Sequence, residues 1–283
     1  MFLDVAMIQT AMMSVDWECR VSGVTQMESK FYVVCFYKST IFIYDDTFGD
    51  RKQFEVIGME DPEDMVACKR CRCLYIVDDS YKGNLLWRVN VSVKGYQVDK
   101  FLESVRINTL SVSPDGRLMF LSRWNDLLLI YGPDGRKLAK WDLSKYGFEN
   151  SLHAVASPSG GFILCQSHGS QHQICRVDAN FALQETYGGT PGDDPGHLDS
   201  PSYLAVDPQN GRVFVADRDN RRVLVLDPQL RRYEGLIQIP SHERPWRLSY
   251  DNDTEILLVI TADNIHQVLT PKRVIAFRVN GLK

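Results

Sequence analysis

The amino-terminal stretch of this 283-residue chain lacks the features of a leader peptide or a membrane anchor. It has no basic flank, Asp4 interrupts it, and no apolar run within it reaches the length of a signal core or a membrane helix. We therefore expect a cytoplasmic protein with no membrane contact.

Cysteine is scarce, with seven residues in the chain. An odd number scattered through apolar segments, as at Cys35 and Cys165, favours buried thiols over a disulfide framework, and such usage is typical of the cytosol. Cys68, Cys71 and Cys73 lie close together, but no second pair of Cys or His follows at zinc-ligand spacing. We predict neither a metal site nor a cofactor.

Catalytic motifs with a recognisable local pattern are missing too. The chain contains no Gly-x-Ser-x-Gly elbow, no P-loop and no His-Glu-x-x-His helix. The formal net charge of −4 argues against a wholly basic nucleic-acid surface, although not against a local one. We therefore predict a domain that is not an enzyme, while noting that catalytic residues on distant loops escape such a search.

The sequence is instead rich in short apolar runs that recur at a regular spacing. Hydrophobic residues make up 44% of the chain, enough for a sizeable core. Six runs resemble one another, and they span residues 32–36, 74–78, 118–122, 162–166, 213–217 and 257–261. Their last residues are 42, 44, 44, 51 and 44 positions apart, which is close to the repeat length of propeller blades.

Each run has the same neighbours in sequence. A short apolar strand ending in a turn precedes it, as from Leu110 to Gly116, and a polar turn and a third strand follow. Five copies continue into a fourth, more polar strand, whereas the sixth reaches Lys283 first. Residues 4–11 have the composition of a strand and are predicted to supply the outer strand of the last blade, which closes the ring.

We therefore predict an all-β fold, a single six-bladed β-propeller of four-stranded antiparallel blades over residues 1–283. Nothing in the sequence resembles a linker between domains, which argues against two unrelated β-domains. The predicted blades span residues 15–58, 59–103, 104–145, 146–188, 189–240, and 241–283 together with 4–11.

Blade five resembles a known repeat. From Gly196 to Asp207 the chain has a Gly-rich lead, a Pro and an apolar strand that ends in Asp. Residues 213–222 add a Val-Ala-Asp strand and a turn in which Arg221 stands where the family usually has histidine. This blade is similar to the NHL repeat, whereas the other blades match it in strand pattern and turns only.

The polar residues of that blade also have structural roles. We expect Asp217 and Arg222 to pair across the turn. We expect Asn220 to take the left-handed conformation that a tight turn needs.

The resemblance to NHL repeats implies a class of function. In TRIM-NHL ubiquitin ligases the propeller is the carboxy-terminal domain that selects a substrate or partner, and in some members it binds single-stranded RNA. The zinc-binding RING and B-box domains of those ligases are not recognisable here. We predict a non-catalytic scaffold for protein–protein interaction, with substrate recognition in a TRIM-NHL-type ligase as the implied role and single-stranded RNA binding as the alternative.

Enzymes that resemble this fold, such as peptidyl-hydroxyglycine lyases and gluconolactonases, hold a metal at the channel mouth. The repeat alignment assigns the equivalent positions to Gly23, Asp64, Thr109, His153, Tyr203 and Arg247. One histidine and one carboxylate are too few for zinc or calcium, and Arg247 adds a repulsive charge. We predict that His153 is a polar channel residue rather than a metal ligand, and a metal-dependent lyase or lactonase-like enzyme is the least favoured alternative.

One face of the predicted propeller combines cations with aromatic rings. The turns between second and third strands open there, together with the segments that enter the inner strands, and this combination suits phosphate contacts and base stacking. The predicted binding face comprises Tyr37, Lys38, Tyr81, Lys82, Arg106, Arg123, Trp124, His153, His168, Tyr203, Arg218, Arg221, Arg244 and Arg247. Acidic residues interrupt it, and blades three, five and six are expected to form its uninterrupted basic sector. The acidic net charge favours a protein partner over RNA.

Overall fold

The computed structural model describes residues 19–45, 50–80, 83–92, 94–103, 107–122, 125–239, 242–265 and 268–279. Within these ranges the chain forms six antiparallel sheets, one 3-10 turn at Leu143–Tyr146 and no α-helix. The first strand of each sheet contacts the first strand of the next, and the sixth contacts the first. The sheets therefore surround a channel, and the predicted six-bladed β-propeller is confirmed.

The first three blades each contain four strands. Blade 1 comprises β1 (Val21–Met27), β2 (Lys30–Cys35), β3 (Thr40–Asp45) and β4 (Arg51–Glu55). Blade 2 comprises β5 (Pro62–Cys68), β6 (Cys73–Ser80), β7 (Gly83–Ser92) and β8 (Gly95–Glu103). Blade 3 comprises β9 (Thr109–Val112), β10 (Leu118–Ser122), β11 (Leu127–Tyr131) and β12 (Lys137–Asp142).

Blades 4 and 5 repeat this arrangement, and three strands of blade 6 are described. Blade 4 comprises β13 (Ser151–Ala156), β14 (Phe162–His168), β15 (Gln171–Val177) and β16 (Leu183–Gly189). Blade 5 comprises β17 (Pro201–Val206), β18 (Val213–Asp217), β19 (Arg222–Leu226) and β20 (Tyr233–Gln238). Blade 6 comprises β21 (Arg244–Asp251), β22 (Ile256–Ile265) and β23 (Val268–Arg278). The outer strand predicted at residues 4–11 lies outside the described residues.

The second strand of each blade is apolar on both faces because every blade packs against a neighbour on each side. All five residues of β10 and of β18 are buried. The outer strand β12, by contrast, has a half-exposed to exposed pattern throughout. This difference explains why the repeated runs found in the sequence are the second strands.

An apolar cluster fills each gap between neighbouring blades. The cluster between blades 6 and 1 contains Val33 and Phe42 from one blade and Leu258 and Val274 from the other. Burying a side chain of this size stabilises the fold by about 1.5–3 kcal/mol. Side-chain packing between the first and last blades therefore contributes to ring closure.

Cys19 and Cys35 form a disulfide in this cluster, with their Cα atoms 5.6 Å apart. The expectation of a buried thiol at Cys35 is therefore wrong, because the pairing of β1 with β2 brings the two cysteines together in a way that an odd total does not reveal. Disulfides persist mainly in oxidising compartments, so cysteine usage no longer favours the cytoplasm, and that location stays a prediction. In the described part of the chain no helix has the length and apolar character needed to span a membrane.

The turn of blade five anchors the segment that leads into that blade. Asp217 pairs with Arg222 at 2.7 Å, as predicted, and Arg222 also donates to two carbonyls of the loop at residues 188–197. The left-handed residue is Arg221, with φ of 56°, so the prediction for Asn220 is wrong. The Asn220 side chain instead donates to the Asp217 carboxylate at 2.9 Å.

Each inner strand has one edge that no strand of its own sheet covers. At five of the six contacts between adjacent blades, a described polar side chain of one inner strand forms a hydrogen bond with a backbone group on the free edge of the next. The pairs are Thr25 with Ala67, Asp64 with Leu110, Ser111 with Ala154, His153 with Leu204 and Ser202 with Trp246. These bonds satisfy groups that would otherwise face the channel unpaired.

The approach of blade 1 to blade 2 requires glycine at one position. A Cβ atom on Gly23 would lie 2.7 Å from the backbone nitrogen of Met65. Gly23→Ala is therefore expected to push β1 and β5 apart and to lower the free energy of unfolding by about 1–3 kcal/mol in urea titrations. Ser249→Ala, which removes one channel hydroxyl, should cost less than about 1.5 kcal/mol and serves as the control. Equal stability of Gly23→Ala and the parent would contradict this account.

Candidate functional site

The channel has two ends that are formed by different turns. Turns between second and third strands, such as residues 36–39 and 218–221, open at one end, which we call the loop face. Turns between first and second strands, such as residues 113–117 and 207–212, open at the other end, which we call the hairpin face. Every inner strand therefore runs from the loop face to the hairpin face.

A β-bulge near the start of the inner strands brings two successive side chains to the channel. The strand register shifts between Pro62 and Asp64, and equivalent shifts occur in blades 1, 4, 5 and 6. The first ring of side chains, at the loop face, contains Glu63, Asn108, Leu152, Ser202 and Trp246. The second ring contains the aligned positions Gly23, Asp64, Thr109, His153, Tyr203 and Arg247. The third ring, toward the hairpin face, contains Thr25, Val66, Ser111, Val155, Ala205 and Ser249.

The second ring closes the channel with a buried network. The Asp64 carboxylate lies 3.0 Å from the Arg247 guanidinium and accepts a hydrogen bond of 3.0 Å from the Tyr203 hydroxyl. It also accepts the Leu110 N–H at 3.0 Å. Arg247 lies over the Tyr203 ring, 5.3 Å from its centroid. Arg247 is thus the ionic partner of Asp64, and its charge is compensated.

His153 belongs to the same network. Its ring stacks on Tyr203 with centroids 3.6 Å apart. Its Nδ1 accepts the Leu204 N–H at 3.2 Å, so the proton lies on Nε2, which is 3.4 Å from the Leu110 carbonyl oxygen. Burial lowers the pKa of His153 to about 3, and the nearby Arg247 charge acts in the same direction. The imidazole is therefore neutral, and both of its nitrogens are engaged.

Burial is also the largest cause of the pKa shifts of Asp64 and Tyr203. It raises the pKa of Asp64, while the positive charge of Arg247 opposes that shift. It raises the pKa of the Tyr203 hydroxyl, and the neighbouring Asp64 carboxylate raises it further. Tyr203 therefore remains a hydrogen-bond donor at neutral pH. Among the described residues no group of three His, Cys, Asp or Glu side chains is placed to hold a metal ion.

A polar pocket of about 160 Å³ lies between this network and the loop face. Glu63 and Arg247 line it together with Arg218 and Trp246. Burial raises the pKa of Glu63 to about 7, and Arg247 opposes the shift. A carboxyl group with this pKa exchanges protons near neutral pH, which is a property of general acids and bases.

A larger cavity of about 330 Å³ opens at the hairpin face, on the other side of the network. Its lining is mainly apolar and includes the third ring. The channel therefore offers two sites of different chemistry, a small polar one and a larger apolar one.

The structure places several residues of the predicted binding face. Tyr37, Arg221 and His168 are exposed, whereas Lys38 is half-exposed. His153, Tyr203 and Arg247 are buried in the second ring rather than displayed on the surface. The predicted residues Tyr81, Lys82, Arg106, Arg123 and Trp124 lie outside the described residues.

In the described part of the loop face, the predicted uninterrupted basic sector is not present. Asp219 lies 3.3 Å from Arg218 and 3.1 Å from Arg244, so one carboxylate serves both guanidinium groups. Arg247 is paired with Asp64. Asp219 and Asp64 thus lie against the arginines of this face, which weakens the case for phosphate binding.

Sequence reasoning missed an apolar residue on the loop face. Ile57, in the segment between β4 and β5, has a relative accessibility of 89%. The search for cations and aromatic rings passed over it. Gly58, which directly follows Ile57 and adopts φ of 90°, is the signal that would have marked a turn here.

No protein-family model matches this chain, and no curated protein matches it. Its fold is shared by a PQQ-bound aldose sugar dehydrogenase from Streptomyces coelicolor, which is 13% identical over 97% of each chain with a TM-score of 0.67. The WD40 propeller domain of Doa1 is 13% identical over 99% of this chain and 98% of that chain, with a TM-score of 0.63. A gluconolactonase from Xanthomonas campestris is 12% identical over 92% of this chain and 86% of that chain, with a TM-score of 0.63.

These comparisons correct one prediction. The sugar dehydrogenase and the gluconolactonase are enzymes on the same architecture, so the prediction that this chain is not an enzyme is contradicted. The lack of local motifs is a weak argument on this fold, because catalytic residues on the loops of different blades leave no local motif. The similar structures include enzymes and a WD40 domain, and at these identities the likeness shows the fold alone.

The buried ion pair of the second ring should respond strongly to loss of one partner. Asp64→Asn leaves the Arg247 guanidinium uncompensated, and we expect it to lower the free energy of unfolding by about 3–5 kcal/mol. The double variant Asp64→Asn/Arg247→Met should lose clearly less free energy of unfolding than the two single variants lose in sum. Urea unfolding of the four proteins at neutral pH gives the coupling energy. Additive losses would show that the two residues do not interact as described.

Glu63 should make stability depend on pH. Its pKa in the folded protein, about 7, lies above the ordinary 4.5, so the folded state favours the protonated form, and that stabilisation is lost as pH rises through about 7. The free energy of unfolding of Glu63→Gln, relative to that of the parent, should therefore increase by about 1–3 kcal/mol from about pH 5 to about pH 8. This magnitude allows for partial solvent screening of Glu63. Unfolding titrations at the two pH values measure it. Glu60→Gln, in the same loop and exposed, should show no such gain.

Proposed function

We propose that this propeller recognises a protein partner on its loop face, with Tyr37 and Ile57 as anchors. The observation that carries the proposal is their exposure, with relative accessibilities of 71% and 89%. The other exposed large apolar side chains in the described ranges are less exposed, and most of them lie on outer strands. Buried aromatic and aliphatic anchors dominate the energetics of many protein interfaces.

The two anchors lie on turns that hydrogen bonds hold together. The Val56 N–H donates to the Ser39 carbonyl at 2.7 Å, and the Tyr37 N–H donates to the Asp61 carboxylate at 3.0 Å. Tyr37 itself has φ of 61°, a left-handed conformation that is uncommon for a bulky residue. A strained backbone that is held in place and displays an aromatic ring supports a role in binding.

The charges of the loop face support a protein rather than a nucleic acid as the partner. Arg218 and Arg244 share Asp219, and Arg247 pairs with Asp64, so three of the cations in the described part of this face have an acidic partner that competes with phosphates. The resemblance of blade five to NHL repeats agrees with this proposal, because partner selection is the role of such propellers in TRIM-NHL ligases.

A photo-crosslinking experiment tests the proposal. A photoreactive phenylalanine analogue replaces Tyr37 in one variant and Leu183 in another, the latter being an apolar residue with 57% exposure on outer strand β16. After irradiation in cells, we expect discrete protein adducts at position 37 that are absent at position 183. The partner found in this way should bind the Tyr37→Ala/Ile57→Ser variant about tenfold or more weakly than the parent, with Leu183→Ser unchanged.

Three outcomes would contradict the proposal. One is the same set of adducts at both positions, which indicates contact by chance. Another is no adduct at position 37. The third is an adduct at position 37 that ribonuclease shortens, which would identify RNA as the ligand.

A further inference from the structure

The cavity at the hairpin face has the size of a small-molecule site. Its volume of about 330 Å³ lies at the lower end of the range of about 300–1,000 Å³ for such sites. The stacked rings of His153 and Tyr203 line its inner end, and the Asp64–Arg247 pair beyond them blocks passage to the loop face. Its apolar walls include Val66, Val112, Val155, Val206 and Leu248.

Most polar groups in the walls already have partners. The Ser111 hydroxyl donates to the Ala154 carbonyl at 2.6 Å, and the Thr25 hydroxyl accepts the Ala67 N–H at 3.1 Å. A ligand body in contact with these walls therefore needs no matching polar groups, and an apolar body fits best.

Gln26 is the exception in the lining. It is 3% exposed, and its Oε1 accepts a hydrogen bond of 3.1 Å from the Thr254 hydroxyl. Its Nε2 is buried and has no acceptor among the described residues. A buried donor of this kind is rare in proteins, and because it is closed off from the cavity it offers a ligand no contact.

One of the two cations at the mouth is available to an anion. Lys69 and Arg70 belong to the lining, and no Asp or Glu of the described residues does. Lys69 is neutralised by Asp251 and Asp253, at 2.9 and 2.8 Å. Arg70 is exposed, and the described part of the chain contains no ion pair for it. One guanidinium thus remains free to bind a carboxylate.

We propose that the hairpin-face cavity binds a small monocarboxylic acid with an apolar body. The body packs against the valine walls, and the carboxylate pairs with Arg70 at the mouth. This site lies at the opposite end of the channel from Tyr37 and does not depend on the protein-binding function proposed above.

Ligand-observed NMR and calorimetry on the full chain test the site with 4-phenylbutyrate and the matched amide 4-phenylbutyramide. We expect the carboxylate to bind about tenfold more tightly than the amide. Arg70→Gln, at an exposed position, should remove that preference and leave amide binding unchanged. Ala205→Phe, which fills the cavity, should abolish binding of both compounds. Leu183→Ser, on outer strand β16, should bind both compounds like the parent.

The proposal is overturned by any of three results. These are no binding of either compound at millimolar concentration, equal binding of acid and amide by the parent, or an acid preference that survives Arg70→Gln. Since Arg70→Gln changes only an exposed side chain, the test remains decisive even where Ala205→Phe does not fold.

Discussion

The free edges of the inner strands are the constraint on which this propeller depends. Each blade has an inner strand whose backbone groups face the channel on one side, and a sheet edge of that kind is normally a liability. Here the neighbouring blade supplies the missing partner from a side chain, as Thr25 does for Ala67 and His153 does for Leu204. The polar residues of the channel are therefore structural elements of the ring before they are part of any site.

The same constraint explains why the channel is blocked in the middle. Asp64 satisfies the Leu110 N–H of the next blade, and a carboxylate buried for that purpose needs a counter-charge. Arg247, from blade 6, supplies it, and Tyr203, from blade 5, completes the hydrogen bonding. The network separates a polar pocket with Glu63 from an apolar cavity with Arg70 at its mouth, so the two faces can take different ligands.

Much of the architecture could be predicted from the residues. The runs at 32–36 and 213–217 repeat because second strands are buried on both faces, and that demand leaves a strong pattern. The aligned ring of Asp64, His153 and Arg247 was found for the same reason, since equivalent blades place equivalent residues at the channel. The hydrogen-bond and ionic partners of these side chains could not be predicted from the alignment of the repeats. Arg247 was expected to repel a cation rather than to pair with a carboxylate.

The sequence by itself determined the number of blades, the identity of their strands and the positions that line the channel, because these follow from a local pattern of burial that repeats along the chain. Only the tertiary structure decided which side chains meet. Asp64 and Tyr203 are 139 positions apart, and Cys19 reaches Cys35 only through strand pairing. Contacts across a closed ring depend on the bulges, register and approach of several blades at once, and no local pattern in one blade records them.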